Sequence, residues 1–152
     1  MKAKIKIADY LALKNILFLD VATREDAISK LVSNLDIKAK IDKKVFYKAV
    51  ITRENIVSTG VGMGVAIPHA KMEDIPDFFI SIGVQKQEGL GWDAIDKSLV
   101  HLVFLIGGPH ERKEEYLQIL SHLTAIIKNE FLRKKIMKSS SQEEILALLQ
   151  QC

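Results

Sequence analysis

The spacing of hydrophobic residues changes along the chain, and each spacing predicts a different element. A short apolar run at 16–19 has the length of a strand. Helical spacing follows at 23–35, where Thr23 and Asp26 resemble a capping box. Asp42 is a suitable N-cap for a second helix. The apolar stripe of that helix consists of Val45, Phe46, Ala49 and Val50. The first third of the chain therefore predicts one strand followed by two helices.

The second half of the chain returns first to strands and then to helices. Residues 78–84 alternate well enough for a strand. The run at 99–106 is almost entirely apolar, which is typical of a central strand covered on both faces, and Gly107-Gly108-Pro109 is expected to end it. Three helices follow. They are marked by Tyr116, Ile119, Leu120, Leu123 and Ile127, then by Phe131, Leu132 and Ile136, and then by a capping box at 141–144.

This order of elements predicts an α/β (α+β) fold in which helices pack on the faces of a sheet. With 152 residues and 48% hydrophobic content, the chain fits a single domain over residues 1–152. A glycine-rich segment at 59–70 is expected at an edge or an end of the sheet.

Charge and cysteine content narrow the classes of partner and compartment. The 22 basic and 19 acidic side chains are mixed along the sequence, and the net charge of +3 predicts no nucleic-acid interface, although a modest basic patch for an acidic protein stays open. Cys152 is the single cysteine, which excludes an intramolecular disulfide and favours a reducing cytosol. The apolar stretch at 11–19 contains Lys14 and Asn15, unlike a signal peptide. We therefore expect a cytoplasmic protein that is at most peripheral to a membrane.

The most informative segment is Thr59-Gly60-Val61-Gly62-Met63-Gly64-Val65-Ala66-Ile67-Pro68-His69-Ala70. Its three glycines allow close approach and positive φ, so successive N–H groups are expected to point at one anion, for which phosphate is the obvious candidate. Pro68 fixes φ and would aim the imidazole of His69, which is a good nucleophile near neutral pH. Taken alone, a histidine after proline is usually structural. The glycine context instead favours phosphoryl transfer to His69.

A charged pair precedes this segment at the end of the second predicted helix. Arg53 is the expected counter-charge, because a guanidinium can bind two phosphate oxygens at once. Glu54 is expected to orient that arginine. The alternative is a solvated pair that interacts with the helix dipole, which is the commoner role of such a pair on its own.

Other kinds of site have little support in the sequence. The glycines lack the Rossmann spacing and no P-loop motif is present, so neither a nucleotide nor another cofactor is expected. The four histidines show no metal-binding spacing, and no metal is expected. We interpret His101 as a hydrogen-bonded histidine in an apolar strand and His122 as an exposed one. His110 is either a functional loop residue or a helix cap.

Segment 59–70 resembles the active-site signature of fructose/mannitol-type enzyme IIA proteins of the bacterial phosphotransferase system. The likeness covers nearly the whole chain. Further landmarks follow the family's order: Arg53-Glu54, Trp92-Asp93-Ala94-Ile95-Asp96, the strand at 100–106, Pro109 and the helix at 117–123. The segment at 93–96 is similar to the nitrogen-regulatory branch, and no IIB, IIC or carrier segment is recognised in these residues, so that branch is favoured.

The resemblance implies a three-layer α/β/α sandwich with a mixed sheet, and a phosphohistidine on His69. The phosphoryl group would come from a histidine phosphocarrier protein, in a cascade that begins at phosphoenolpyruvate. It would pass to a IIB protein in sugar-specific members, whereas nitrogen-regulatory members act through contacts with regulated proteins. Phosphate-binding or stabilising roles are predicted for Arg53, Glu54, Thr59, Gly60, Gly62, Gly64, Tyr116 and His110.

Two residues depart from the family's pattern. Met63 stands where the family often has Asn or another polar residue. Tyr116 stands where a second active-site histidine is common; its hydroxyl can donate a hydrogen bond to phosphate but supplies no imidazole, and His110 is the candidate substitute. The alternative function is therefore a regulatory protein-binding module of the same fold with weak or no phosphoryl transfer. A structural domain without phosphate chemistry is a third hypothesis.

Overall fold

The computed structural model describes residues 5–152. A 3-10 turn at Ile7–Tyr10 leads into the first strand. The elements are then β1 (Leu11–Leu19), α1 (Arg24–Ser33), α2 (Lys43–Ile56), β2 (Gly60–Gly62), β3 (Val65–Ala66), β4 (His69–Lys71), β5 (Phe79–Gln85), β6 (Leu102–Gly108), α3 (Lys113–Lys128), α4 (Glu130–Lys138) and α5 (Gln142–Gln150). The predicted order of one strand, two helices, several strands and three helices is confirmed.

The strands form one mixed sheet in the order β1-β5-β6-β3-β2, and β4 also pairs with β6. β1 runs parallel to β5 and β5 antiparallel to β6, whereas β3 and β4 both run parallel to β6. Side chains of β6 alternate between two cores. Leu102, Phe104 and Ile106 pack with α3, α4 and α5, while Val103 and Leu105 pack with α1 and α2. The predicted three-layer α/β/α sandwich with a mixed sheet is confirmed.

Local signals at the helices are confirmed with one exception. The helix caps lie where capping residues predicted them, at Thr23, Asp42 and Ser141, each of which accepts backbone N–H groups of the first turn. The buried face of α2 is narrower than predicted, because Phe46 and Val50 are buried whereas Val45 is exposed. The exposed valine lies beside the buried phenylalanine in sequence, at the margin of the stripe.

The sequence predicts that Gly107 and Gly108 end the central strand, and this prediction is wrong. Both glycines belong to β6, where they pair with Ala70 and Lys71 of β4. A Cβ atom at Gly108 would overlap the ring of Phe78. Close packing therefore requires glycine here, and β6 extends to Gly108, where its last residues pair with β4.

Three parts of the chain meet at the carboxyl end of β6. Parallel pairing places His69 of β4 opposite Ile106 of β6. The chain leaves β6 at Gly108 and enters α3 at Lys113, which brings Tyr116 in the first turn of α3 to the same end of the sheet. α2 packs against β4 as well. The fold thus gathers residues from α2, β4 and α3 around one histidine.

Candidate active site

His69, the first residue of β4, presents one ring nitrogen for chemistry. Its Nδ1 lies 2.9 Å from the carbonyl oxygen of Ile67, and the side chain is half-buried. Because a carbonyl oxygen can only accept, Nδ1 carries the proton, and Nε2 of the neutral ring holds the lone pair. The geometry therefore leaves Nε2 as the nucleophilic atom.

The surroundings of His69 favour the neutral imidazole. Burial has the largest effect and lowers the pKa of His69. Among the smaller effects, the hydrogen bond to Ile67 and the charge of Glu54 raise this pKa, whereas the positive charges of Arg53 and Lys71 lower it. The net pKa lies below the usual value for histidine, so the nucleophilic form prevails at neutral pH.

Tyr116 faces His69 from the first turn of α3. The centroids of the two rings are 6.0 Å apart. The ring of Phe78 stacks on Tyr116 at 5.9 Å, and Lys71 Nζ lies 3.9 Å from the Tyr116 centroid in a cation–π contact. Burial raises the pKa of Tyr116, so its hydroxyl keeps the proton and can donate a hydrogen bond. The structure thus brings the tyrosine next to the histidine, as the sequence predicts.

Lys71 is a residue of this site that the sequence analysis missed. It follows His69 by two positions in β4, and residues two apart in a strand project from the same face. That period was the available signal. A strand of three residues has too few positions to show an alternating hydrophobic pattern, so the sequence predicts no strand at 69–71.

Arg53 lies in the last turn of α2, and its charge acts on both rings of the site. Burial dominates the pKa of His69 and of Tyr116, and the positive charge of Arg53 lowers both. Its Nη1 donates to the carbonyl oxygen of Val57 at 2.8 Å. Within residues 5–152 no other hydrogen bond of this guanidinium is formed, so its remaining N–H groups are available to an anion.

The predicted orientation of Arg53 by Glu54 is wrong. Glu54 is 2% exposed, and both of its carboxylate oxygens are occupied by Thr59: one accepts the backbone N–H and the other accepts the hydroxyl, each at 2.6 Å. Consecutive residues on a helix point in different directions, which separates the two side chains. The predicted phosphate contacts of Glu54 and Thr59 are replaced by this internal pair.

Gly62, Met63 and Gly64 form the tight turn between β2 and β3. Met63 and Gly64 both have positive φ, 58° and 77°, as in a type I′ hairpin turn. Gly62 has φ 94°, and a Cβ there would come within 2.9 Å of an Asp96 carboxylate oxygen. Backbone geometry and close packing therefore account for these glycines.

The N–H groups of this hairpin do not form the predicted anion cradle. Gly60 donates to the Ser58 hydroxyl, Met63 to the Asp96 carboxylate and Gly64 to the Ser98 hydroxyl. An incoming phosphate would have to displace these acceptors, and the carboxylate would repel it. Phosphate binding by Gly60, Gly62 and Gly64 therefore stays a prediction, and the N–H groups of Gly60 and Gly64 already have acceptors within the protein.

His110 does not join the site. It is exposed in the loop between β6 and α3, and in the described part of the chain it forms no hydrogen bond, ion pair or ring contact. The role of His110 as a substitute for a second histidine therefore stays a prediction, without a contact to His69 or Tyr116 in the described part of the chain. Lys71 is the cation that the structure places beside Tyr116.

The two remaining histidines are held by the backbone. Nδ1 of His101 lies 2.8 Å from the carbonyl oxygen of Gln85, which confirms a hydrogen-bonded histidine next to β6. The sequence predicts an exposed His122, but this residue is half-buried and its Nδ1 accepts the N–H of Ile7 at 2.9 Å. Helical spacing alone did not reveal that α3 packs against the 3-10 turn.

Neither a metal centre nor a membrane span is found within residues 5–152. No three His, Cys, Asp or Glu side chains there are grouped so that they could hold a metal ion. No helix in the same range combines the length and apolarity that crossing a bilayer requires.

The arrangement suits a reacting group that is electrophilic and anionic at once. Nε2 of His69 supplies a lone pair, Arg53 and Lys71 supply positive charge, and Tyr116 supplies a neutral donor. A phosphoryl group needs this combination, because its phosphorus accepts the lone pair while its oxygens carry negative charge.

Known proteins are similar to this chain in sequence and in fold. The family model for the phosphoenolpyruvate-dependent sugar phosphotransferase system, EIIA 2, matches residues 10–152. The PTS system fructose-specific EIIA component of Haloferax volcanii is 33% identical over 84% of this chain and 83% of its own length. The PTS system fructose-specific EIIABC component of Bacillus subtilis is 31% identical over 97% of this chain, and the chain spans 23% of that relative's length.

A solved relative comes from the nitrogen-regulatory branch. The nitrogen regulatory protein IIA-Ntr from Neisseria meningitidis has a TM-score of 0.87 and 28% identity, with 94% of this chain and 98% of that chain covered. The predicted resemblance to type-2 enzyme IIA proteins, near this branch, is confirmed. Members of the family are phosphotransferases that act through a phosphohistidine and pair with IIB components and phosphocarriers. The family model matches residues 10–152, and the fold and the residues gathered around His69 agree with it. The chain therefore belongs to the EIIA type-2 family of the phosphoenolpyruvate-dependent sugar phosphotransferase system.

Proposed function

We propose that this protein carries a phosphoryl group on Nε2 of His69, received from a histidine phosphocarrier protein. The observation that carries the proposal is that His69, whose Nδ1–H bond to Ile67 leaves the lone pair on Nε2, lies beside Tyr116 and Lys71, with the two ring centroids 6.0 Å apart. Nearby positive charge and a lowered pKa at His69 keep that nitrogen unprotonated. The protein would work in the cytoplasm, where the donor is found.

The transfer balances without an additional acid or base. The Nε2 lone pair attacks the phosphorus, the phosphorus–nitrogen bond of the donor phosphohistidine breaks, and its electron pair returns to the donor imidazole. The Nδ1 proton of His69 stays in place, so the phosphorylated ring carries a positive charge that the Ile67 carbonyl oxygen stabilises. The chemistry then depends on positioning and electrostatics.

Arg53, Lys71 and Tyr116 would receive the three phosphoryl oxygens. The guanidinium is able to bind two oxygens, whereas the Lys71 ammonium acts as a point charge. The Tyr116 hydroxyl, which stays protonated because burial raises its pKa, would donate one hydrogen bond. This set replaces the amide cradle expected from the glycines.

Exposed apolar residues follow Arg53 and Tyr116 in the chain and would form the docking surface for the phosphocarrier. Ile56 and Val57 follow Arg53, Leu117 follows Tyr116, and Ile95 lies in the loop whose Ala94 packs against Gly60. Ile95 is 96% exposed. Large apolar side chains around a reactive centre are typical of a protein-binding surface with modest affinity.

Two roles follow phosphorylation in this family, and we favour the regulatory one. The TM-score of 0.87 with IIA-Ntr and the sequence Asp93-Ala94-Ile95-Asp96 support contacts with regulated proteins. Transfer to a IIB component is the other role. A binding module with slow or no transfer is the competing function, because Tyr116 supplies a hydroxyl and no second imidazole beside His69.

Phosphorylation with purified components tests the proposal. The protein is incubated with phosphoenolpyruvate, the first enzyme of the system and a histidine phosphocarrier, and then examined by intact-mass spectrometry and phosphorus NMR. We expect one acid-labile phosphoryl group, with the NMR signature of an Nε2 phosphohistidine. His69→Ala should take up none, while His110→Ala, a matched control outside the site, should behave as wild type. Lasting absence of the group from wild type, with cognate components present, would establish the binding module instead.

A further inference from the structure

A continuous set of hydrogen bonds connects the buried carboxylate of Glu54 to the imidazole of His69. Glu54 accepts the N–H and the hydroxyl of Thr59, each at 2.6 Å. The Thr59 carbonyl oxygen accepts the N–H of Ile67 at 3.0 Å. The Ile67 carbonyl oxygen in turn accepts the Nδ1–H of His69 at 2.9 Å. Four residues from two parts of the chain are thus linked in series.

We propose that Glu54 and Thr59 are positioning residues, which act through Ile67 to fix the tautomer and the ring orientation of His69. The proposal rests on the proposed function in one respect, since it takes Nε2 as the atom to be kept free. Neither Glu54 nor Thr59 touches the reacting group. Their contribution is to hold the Ile67 peptide where its carbonyl oxygen meets Nδ1.

Rigid geometry between Ile67 and His69 makes this control effective. Pro68 fixes its own φ and restricts Ile67 to extended backbone. The Pro68 carbonyl oxygen accepts the N–H of Ile106 at 3.0 Å, and this bond holds the peptide between Pro68 and His69 against β6. A displacement of Ile67 is therefore passed to the imidazole contact instead of being absorbed by a flexible link.

A carboxylate is well suited to the far end of this series. Thr59 is 6% exposed and Glu54 is 2% exposed, so both donors of Thr59 are removed from water. Hydrogen bonds from neutral donors to an ionised acceptor are short and strong, which agrees with the two 2.6 Å distances. Without this acceptor, two buried donors would lack partners, and the segment 57–60 would rearrange to reach water.

The competing interpretation is that Glu54 and Thr59 only stabilise the hairpin. Nitrogen NMR of the His69 imidazole separates the two interpretations, because it reports which ring nitrogen carries the proton. The measurement is made at about pH 8, where a histidine is neutral. The informative variants are Glu54→Ala, which removes both acceptors, Thr59→Val, which removes the hydroxyl alone, and the conservative Glu54→Gln and Thr59→Ser. Ser81→Ala is the matched control, since it deletes a buried hydroxyl donor, 3.0 Å from the Asn15 carbonyl oxygen, away from the site.

We expect wild type, Thr59→Ser and Ser81→Ala to hold the proton on Nδ1. Glu54→Ala and Thr59→Val should give a mixture of tautomers. Their single-turnover rate of phosphorylation should fall about 10-fold to 100-fold, as for a displaced reacting group, with the half-saturating phosphocarrier concentration nearly unchanged. Glu54→Gln keeps one acceptor for the Thr59 N–H and should recover most of the wild-type rate and tautomer.

An unchanged tautomer and an unchanged rate in Thr59→Val and Glu54→Ala would overturn the proposal, as would equal effects in Ser81→Ala. If Glu54→Ala does not fold, Thr59→Val decides alone. If wild type accepts no phosphoryl group, the proposed function fails, but the tautomer measurement still gives its own answer on positioning.

Discussion

Two histidines lie near opposite ends of β6, and both use Nδ1 in the same way. His101 precedes the strand, with Nδ1 2.8 Å from the Gln85 carbonyl oxygen. His69 pairs opposite Ile106 near the other end, with Nδ1 2.9 Å from the Ile67 carbonyl oxygen. Both are half-buried, and both leave the lone pair of the neutral ring on Nε2. A backbone hydrogen bond therefore does not distinguish a reactive histidine from a structural one.

The surroundings of Nε2 distinguish the two. A Cβ atom at Gly89 would lie 2.9 Å from Nε2 of His101, so the loop at 86–91 crowds that nitrogen. His101 also lines a cavity of about 510 Å³, where Lys134 is paired with Glu130 at 3.1 Å and Arg133 donates to the Ile127 carbonyl oxygen. Two cations of that cavity are thus already engaged.

The cations of the reactive end are Arg53 and Lys71. Arg53 donates to one carbonyl oxygen, and Lys71 rests on the Tyr116 ring; neither forms an ion pair with a carboxylate within residues 5–152. The two ends therefore differ in what adjoins the ring: Tyr116, with Lys71 on its face, lies beside His69, whereas the loop at 86–91 crowds Nε2 of His101.

The largest expected effect separates the two histidines directly. His69→Ala should abolish phosphoryl uptake, because it removes the nucleophilic nitrogen, whereas His101→Ala should retain the wild-type rate. Uptake is measured as acid-labile phosphate bound per protein in a single turnover. Phosphorylation that survives in His69→Ala and is lost in His101→Ala would exchange the roles assigned to the two ends of β6.

Arg53 and Arg133 provide the next comparison. Arg53→Ala should slow phosphorylation about 10²-fold to 10³-fold, since it removes a preorganised charge from the transferring group. Arg133→Ala deletes a guanidinium near His101 and should leave the rate within about twofold of wild type. Rapid-quench kinetics at saturating phosphocarrier measures both, and thermal unfolding checks that both variants fold. Equal losses would show that general electrostatic attraction, and not a contact at the site, accounts for the effect.

Tyr116→Phe tests the phenol alone. Loss of one hydrogen bond to a charged phosphoryl oxygen should slow the reaction about 10-fold to 10²-fold, because such bonds contribute about 1.5–3 kcal/mol. The phenylalanine keeps the contacts with Phe78 and Lys71, so the fold and the cation–π contact should persist. The measurement is the single-turnover rate, and a rate equal to wild type would assign Tyr116 to packing.

Much of the site follows from sequence, but the contacts within it do not. The rigid Pro68-His69 pair and the arginine at the end of α2 are visible in the sequence, and Tyr116 is located by resemblance to the family. Lys71 was missed because β4 is too short to show a period. Glu54 was assigned to the wrong partner, because its hydrogen bonds depend on how the loop after α2 closes.

The glycines likewise show how far the fold can be predicted from the sequence alone. Periodicity predicted the order of elements and the two-sided burial of β6. Glycine occurs where φ is positive, where packing is close and where an anion binds the backbone. The sequence alone therefore does not reveal that Gly62 and Gly64 form part of a turn. Glycine is required at position 108 because the ring of Phe78 leaves no room for a Cβ atom, and not because the strand is interrupted there.

The lowered pKa of His69 gives a smaller effect with a definite sign. Burial is its main cause, so the NMR titration midpoint of His69 should lie below that of a short peptide carrying residues 66–72. Phosphorylation should stay constant through neutral pH and decline as the pH falls through that midpoint, because the protonated ring has no lone pair. Arg53→Ala should raise the midpoint, since a positive neighbour is removed. A midpoint at or above the peptide value would contradict the burial seen at this site.

Met63 lies at the tip of the β2–β3 hairpin, beside the His101 end of β6, and its replacement should have the smallest effect. Its φ of 58° is unfavourable for a long side chain, and asparagine tolerates that conformation better. Met63→Asn should therefore raise the free energy of unfolding by about 0.5–1 kcal/mol. Met63→Leu, which keeps the unfavourable φ, should give no gain. Both are measured by urea unfolding. The phosphorylation rate should be unchanged, because Met63 contacts Arg133 near the His101 end of β6. A change in rate without a change in stability would show that the hairpin tip reaches the reactive histidine after all.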